Sequence, residues 1–367
     1  MVNILAYIIY AEALLYPVAP KENICYSYNM LTINDIAREA GVSRQTVSNV
    51  IHGATGHVSP ETLARINKII KEKNYTPNMS ARALVNKSSR IIGVINHLIP
   101  NSAGNFMTDP FHTEVIAGIE NELHLRDYYM MLRTVESEDE LVSLFRNWNL
   151  DGIIITGVFE DVFYERIVKS RIPCVLLDSY IKDSSLMNVG LMDFQGAYEA
   201  TKYLLKKGHT EIAFASPEIH ENGVVYERYL GYQAALREMG IKAKKKNVYT
   251  CKIEVEAGIR LGYEIAKRQE VTAVFATADL LAVGIMSGLF EKGCRIPQDI
   301  SIIGFDDLYL SSITSPRLTT IHQDIVEKGR LAASMLIDTL EKKETRREII
   351  MPVSLIERNS VSEPKKL

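Results

Sequence analysis

From Arg90 onward, short apolar runs rich in β-branched residues alternate with longer amphipathic ones, and this alternation narrows the possible folds more than any other feature. The runs Ile91–Ile95, Tyr128–Leu132, Gly152–Thr156, Cys174–Asp178, Glu211–Ala215, Ala273–Thr277 and Ser301–Phe305 have the length and bounds of strands. Between them, Thr113–Leu125, Glu138–Trp148, Phe194–Lys207, Tyr226–Met239, Val255–Gln269 and Leu280–Lys292 read as helices. Strands that alternate with helices pair in parallel and take helices on both faces. So many strands over roughly 275 residues exceed one compact sheet, so two α/β lobes are expected.

The segment before Arg90 has a different texture. From Thr32 to Asn74 the pattern is helical, in three short pieces. Thr32 can cap a helix, with Asp35 three residues on as a capping-box-like partner. Ile33, Ile36, Ala37 and Ala40 then form one apolar stripe, and Gly41 can end the helix in a left-handed conformation. Val42 would plug the core beneath the turn. Ser43 caps the next helix, Arg44 to Ile51, which should bury Val47, Val50 and Ile51 and display Arg44, Gln45, Ser48 and Asn49. A third helix should begin at Ser59-Pro60-Glu61 and bury Leu63, Ile66 and Ile70. This arrangement has the form of a helix-turn-helix DNA reader. Arg suits guanine, and Gln or Asn suits adenine, because each can make a bidentate pair in the major groove. The alternative is a helical hairpin used for packing only, and the polar outward face weighs against it.

Charge agrees with a DNA reader. Met30 to Arg90 holds nine basic and four acidic residues, whereas the remainder holds 33 basic against 41 acidic. A basic head on an acidic body suggests a polyanionic partner for the head alone. Cys25, Cys174, Cys251 and Cys294 show no metal-ligand or redox spacing, which fits buried thiols in a reducing cytoplasm. No run is long enough to span a membrane. Val2 to Val18 comes nearest, but Glu12 and Pro17 interrupt it and no basic residue precedes Lys21, so it reads poorly as a signal peptide. Residues 1–29 are therefore left as an unassigned extension, with Met30 the expected start.

At this level of detail the head resembles that of the lactose/galactose repressor (LacI/GalR) family of transcription regulators. The resemblance is carried by the run from Leu31 to Val50, by Val58-Ser-Pro-Glu-Thr62 and by Asn74-Tyr-Thr-Pro-Asn78. The body follows the same template in Asp151-Gly-Ile-Ile-Ile155, Gly196-Ala-Tyr-Glu-Ala-Thr201, Gly208-His209 and Gly231-Tyr-Gln-Ala-Ala-Leu236. Further on come Ser301-Ile-Ile-Gly-Phe-Asp-Asp307 and Leu318-Thr-Thr-Ile-His-Gln323. The resemblance spans about Met30 to Val361.

The resemblance implies a helix-turn-helix head (30–76), a hinge helix and linker (77–89) and a periplasmic-binding-protein-like body (90–367). The first lobe would comprise about 90–190 and 322–352, the second about 191–321 and 353–367. It implies a dimer on a pseudo-palindromic operator, with Arg44, Gln45 and Asn49 setting base preference. Thr32, Ser43, Thr46 and Tyr75 match phosphate-holding positions. In the hinge, Arg82 is a further DNA contact and Leu84 the wedge that kinks the duplex. Nine residues follow Arg358, without leucine heptads, so no tetramerising tail is expected.

For the body, the resemblance implies a ligand in the cleft between lobes, at the carboxyl ends of parallel strands. Asp178, Arg228, Asp306 and Gln323 match effector-contact positions, and Phe111 could stack on a sugar face. Carboxylates and an arginine can engage several hydroxyls of a polyol, which makes a sugar the natural effector. Two departures bear on which ligand. Ala278-Asp279 stands where the family often has Asn-Asp, leaving Asp279 as the candidate there. The loop from Asn96 to Pro110 is long, and Asp109 replaces the usual Asn before Pro110-Phe111.

Other functions fit less well. A transporter's solute-binding protein would need export and no head. An enzyme is not supported, since no nucleophile elbow, glycine-rich phosphate loop or metal-ligand cluster occurs, no cofactor is implied, and His209 and His322 read as structural. A purine-type corepressor stays open as an alternative to a sugar.

Overall fold

A computed structural model of the chain describes residues 31–51, 53–75, 88–97, 106–182 and 185–365. The chain divides into two compact units, residues 1–85 and 86–367.

In the first unit, α1 (Ile33–Ala40), α2 (Arg44–Ile51) and α3 (Pro60–Glu72) enclose a small core. Ile36, Ala37 and Ala40 meet Val47 and Val50 there, with Ile66 and Ile69 of α3. The turn works because Gly41 takes φ +65°, a left-handed conformation in which its N–H reaches back to the carbonyls of Ala37 and Arg38. Ser59 and Pro60 start α3 as their types predict. The buried line of α3 differs from expectation. Ile66 and Ile69 lie at its centre, and Leu63 and Ile70 flank them half-buried. A face centred between two apolar residues three apart puts the outer pair at its edges.

In the second unit the strands are β1 (Ile91–Asn96), β2 (Tyr129–Thr134), β3 (Gly152–Thr156), β4 (Cys174–Leu177), β5 (Met187–Leu191) and β6 (Ile212–Ser216). They continue as β7 (Val248–Thr250), β8 (Ala273–Ala276), β9 (Ser301–Asp306), β10 (Thr319–His322), β11 (Glu348–Met351) and β12 (Ser354–Ile356). One sheet has the order β11-β5-β4-β3-β1-β2 and is parallel throughout. The other has the order β12-β10-β9-β8-β6-β7, parallel except for the edge pair β10–β12. The central strands are buried on both faces, so they read as unbroken apolar runs.

The helices of this unit are α4 (Pro110–Leu125), α5 (Glu138–Asn147), α6 (Val162–Ser170), α7 (Asp193–Lys206), α8 (Val224–Glu238), α9 (Val255–Ile265), α10 (Asp279–Glu291), α11 (Tyr309–Ile313) and α12 (Ile325–Leu340). They pack as layers on the sheets, notably α4 with α12 on the first and α7 with α8 on the second. Gly231 of α8 permits the latter pairing: a Cβ there would lie 2.2 Å from the Phe194 carbonyl oxygen. The chain passes between the sheets three times, at Leu191–Asp193, His322–Ile325 and Met351–Ser354. His209 is buried between Thr272 and the Ser362 carbonyl at 2.9 Å each, a packing role.

DNA-reading head and effector cleft

On the head, Thr32 and Asp35 form a reciprocal capping box. The Asp35 N–H donates to the Thr32 hydroxyl oxygen at 3.3 Å, and the Thr32 N–H and hydroxyl donate to the Asp35 carboxylate at 3.0 and 2.6 Å. The Thr32 hydroxyl holds the Asp35 carboxyl below the usual carboxylate range. Ser43 accepts the Thr46 N–H at 3.1 Å, and the two hydroxyls lie 2.9 Å apart at the start of α2. Arg44 and Gln45 are exposed, and Gln45 Nε2 donates to Asn49 Oδ1 at 2.9 Å, so the two amides are held as one unit a helical turn apart. Tyr75 is half-buried against the head core, which raises its hydroxyl above the usual value. Arg82 and Leu84 lie outside the described residues.

In the second unit, the carboxyl ends of strands from both sheets surround a cavity of about 890 Å³. From the first sheet come Thr156, Leu177 and Asp178, and from the second Thr277 and Asp306. Asp178 and Asp306 stand at the carboxyl ends of β4 and β9 with positive φ of +52° and +111°, values that an L residue adopts only under constraint. Asp109 caps α4 by accepting the Phe111 N–H at 3.0 Å, and its other oxygen lies 3.0 Å from His112 Nδ1. Phe111, the second residue of α4, reaches the lining, with Asp109 doing the capping.

Arg228 of α8 is buried in the cleft wall. Its Nε donates to Asp193 at 2.7 Å, its Nη1 donates to the Thr277 carbonyl at 2.5 Å, and its guanidinium lies 3.5 Å from the Phe305 ring centroid. Tyr180 donates to the other Asp193 oxygen at 2.6 Å. Burial opposes the charge of Arg228, but Asp193 and Asp306 outweigh it and leave the guanidinium held more firmly protonated. Burial raises the Asp193 carboxyl, against the pull of Arg228. Burial likewise pushes Asp306 up to about 7, opposed by Arg228 and by the hydrogen bond from Gln323.

Two sequence candidates sit behind the lining rather than in it. Asp279 is fully buried, and both its oxygens are taken, one by the Thr320 hydroxyl at 2.6 Å and the other by the Leu308 N–H at 2.9 Å. The sequence candidate Asp279 thus ties α10 to β10 and the loop after β9, and Ala278 forms the wall there. Gln323 also lies off the lining and donates to Asp306 at 2.6 Å, so it orients that carboxylate.

Sequence reasoning missed Lys328, Asp193 and Tyr180. Lys328 Nζ lies 2.7 Å from both Asp178 oxygens and 5.5 Å from the Phe111 ring centroid. Its only signal was a lysine three residues after Ile325, on the stripe that α12 buries.

A head that displays arginine and paired amides, joined in one chain to a two-lobed cleft lined with polar side chains, defines a ligand-controlled DNA-binding regulator. The lacI family profile of bacterial regulatory proteins matches residues 32–78, and a periplasmic binding protein-like domain profile matches residues 201–361. The chain belongs to the lacI family. It is a transcription regulator and not an enzyme. The HTH-type transcriptional repressor PurR of Vibrio atlanticus (strain LGP32) is 34% identical over 340 residues, covering 90% of this chain and 99% of that protein. A complex of the transcriptional regulator CelR with cellobiose superposes with a TM-score of 0.68 at 25% identity, covering 90% of this chain and 99% of that one. A LacI-family regulator from Enterococcus faecium with bound ribose gives 0.66 at 31% identity, covering 75% and 100%. No helix among the described residues is long and apolar enough to cross a membrane.

Proposed function

We propose that this regulator is a cytoplasmic homodimeric repressor whose grip on a pseudo-palindromic operator is controlled by a sugar in the cleft. Arg44, Gln45 and Asn49 read bases, while Thr32, Ser43, Thr46 and Tyr75 hold phosphates. Arg82 and Leu84 act at the hinge, Leu84 as the minor-groove wedge. In the body, Phe111 offers a ring face, and Asp109, Asp178, Arg228 and Asp306 offer hydrogen-bond partners, with Gln323 and Asp279 acting from behind.

The observation that carries this reading is the convergence of Asp178, Asp306 and Arg228 beside Phe111 at strand ends of both sheets. Opposed donors and acceptors around an aromatic face match a polyol, whose hydroxyls both donate and accept. Relatives bound to cellobiose and to ribose support it. The test is a thermal-shift panel of monosaccharides, disaccharides and purines, followed by operator binding measured by fluorescence anisotropy. A sugar should raise the melting temperature and weaken operator binding by tenfold or more, about the coupling typical of allosteric proteins. Stabilisation by a purine alone, with tighter operator binding, would replace the sugar reading with a corepressor.

A further inference from the structure

Lys328 is 1% exposed, lines the effector cavity and meets both oxygens of Asp178. An ammonium so enclosed persists only with close compensation, which Asp178 supplies. A polyol site does not itself require that ammonium, because a bare carboxylate accepts two hydroxyls unaided.

Charge balance gives Lys328 a role. At the cavity floor Arg228 and Lys328 face Asp178, Asp193 and Asp306. Without Lys328, the Asp178 carboxylate would face the cavity with no cation in contact among the described residues, and it would draw one in. Hydrogen bonding points the same way. Two of the three ammonium hydrogens serve Asp178, and the third is left for an acceptor. A hydroxyl can donate to Asp178 and accept from Lys328 together, whereas a protonated amine has no lone pair to offer. The Thr277 hydroxyl, in a lining residue that is 2% exposed, has no hydrogen-bond partner among the described residues.

We propose that Lys328 is a specificity-determining residue that makes the cleft select an uncharged polyol over its amino-substituted counterpart. The proposal rests on the sugar reading of the cleft given above. The experiment is calorimetric titration of the full chain with D-glucose, D-glucosamine, D-galactose and D-galactosamine near pH 6.5, where the amines carry their proton. Wild type should bind a neutral sugar about tenfold or more tighter than its amino counterpart. Lys328→Met should move that ratio about tenfold towards the amine, Lys328→Arg should keep it, and Asp178→Asn with Lys328→Met should restore it. The proposal is overturned if wild type prefers the amine, if Lys328→Met leaves the ratio unchanged, or if the double variant keeps the amine preference. Should Lys328→Met fail to fold, a shifted ratio in Lys328→Arg would overturn it equally. If no panel sugar binds any form, the sugar reading itself fails.

Discussion

Replacing Asp306 by asparagine should stabilise the ligand-free protein, and by an amount that depends on pH. An aspartate in an unfolded chain ionises near 3.9, whereas burial holds the proton on folded Asp306 up to about 7. Between those values the folded state binds more protons than the unfolded one. Wild-type stability therefore falls as pH rises through this window, by up to about 1.4 kcal/mol per pH unit. By pH 8 the accumulated loss from this residue is about 4 kcal/mol, and at pH 5 it is on the order of 1–2 kcal/mol. Asp306→Asn removes the titration, and its amide oxygen can still accept from Gln323 Nε2. Urea unfolding of both proteins from pH 5 to 8 should show the variant's advantage growing by about 3 kcal/mol across the range. An advantage independent of pH, or a variant less stable at pH 8, would refute the reasoning. The same substitution removes an ionisable acceptor from the cleft, so the stability gain should come with a weakened response to sugar.

Two further outcomes are expected. Arg228→Met should cost about 3–5 kcal/mol by leaving Asp193 buried and unpaired, and adding Asp193→Asn should recover most of it in urea unfolding; no recovery would mean that Arg228 is held mainly by its stacking on Phe305. Gly41→Ala meets nothing within 4 Å, so its cost is the left-handed backbone alone, about 1–2 kcal/mol, seen as a lower melting midpoint and weaker operator binding; an unchanged midpoint would contradict the φ-based account of the turn.

Much of the fold was legible because each element carries its own local signal. The strands at Ile91, Gly152 and Ser301 are buried on both faces and so read as apolar runs, and Thr32, Gly41, Ser43 and Ser59 punctuate the head by side-chain and backbone chemistry that acts within a few residues. Helix α12 was not legible: its buried stripe holds Lys328 and Gly329, a charge and a helix breaker, and only their neighbours across space explain them. Strand β11 was missed as well, an edge strand with two of its four residues exposed.

The site divides the same way. Arg228, Asp178 and Asp306 could be named from their motifs, because a strand end or helix start is a local address. Whether a carboxylate at such an address faces the cleft is not local, since it depends on which other elements deliver donors. Asp279 looked like a ligand contact and is consumed by Thr320 and Leu308, from elements 41 and 29 residues away. Lys328 carried no sequence signal of a site and closes on Asp178 across 150 residues of chain. By itself, then, the sequence determined the reading helix and the alternation that builds two parallel sheets, since those follow from short-range periodicity and capping. Only the tertiary structure decided which buried charges pair with one another and which remain for a ligand, because that balance is set by groups brought together through folding.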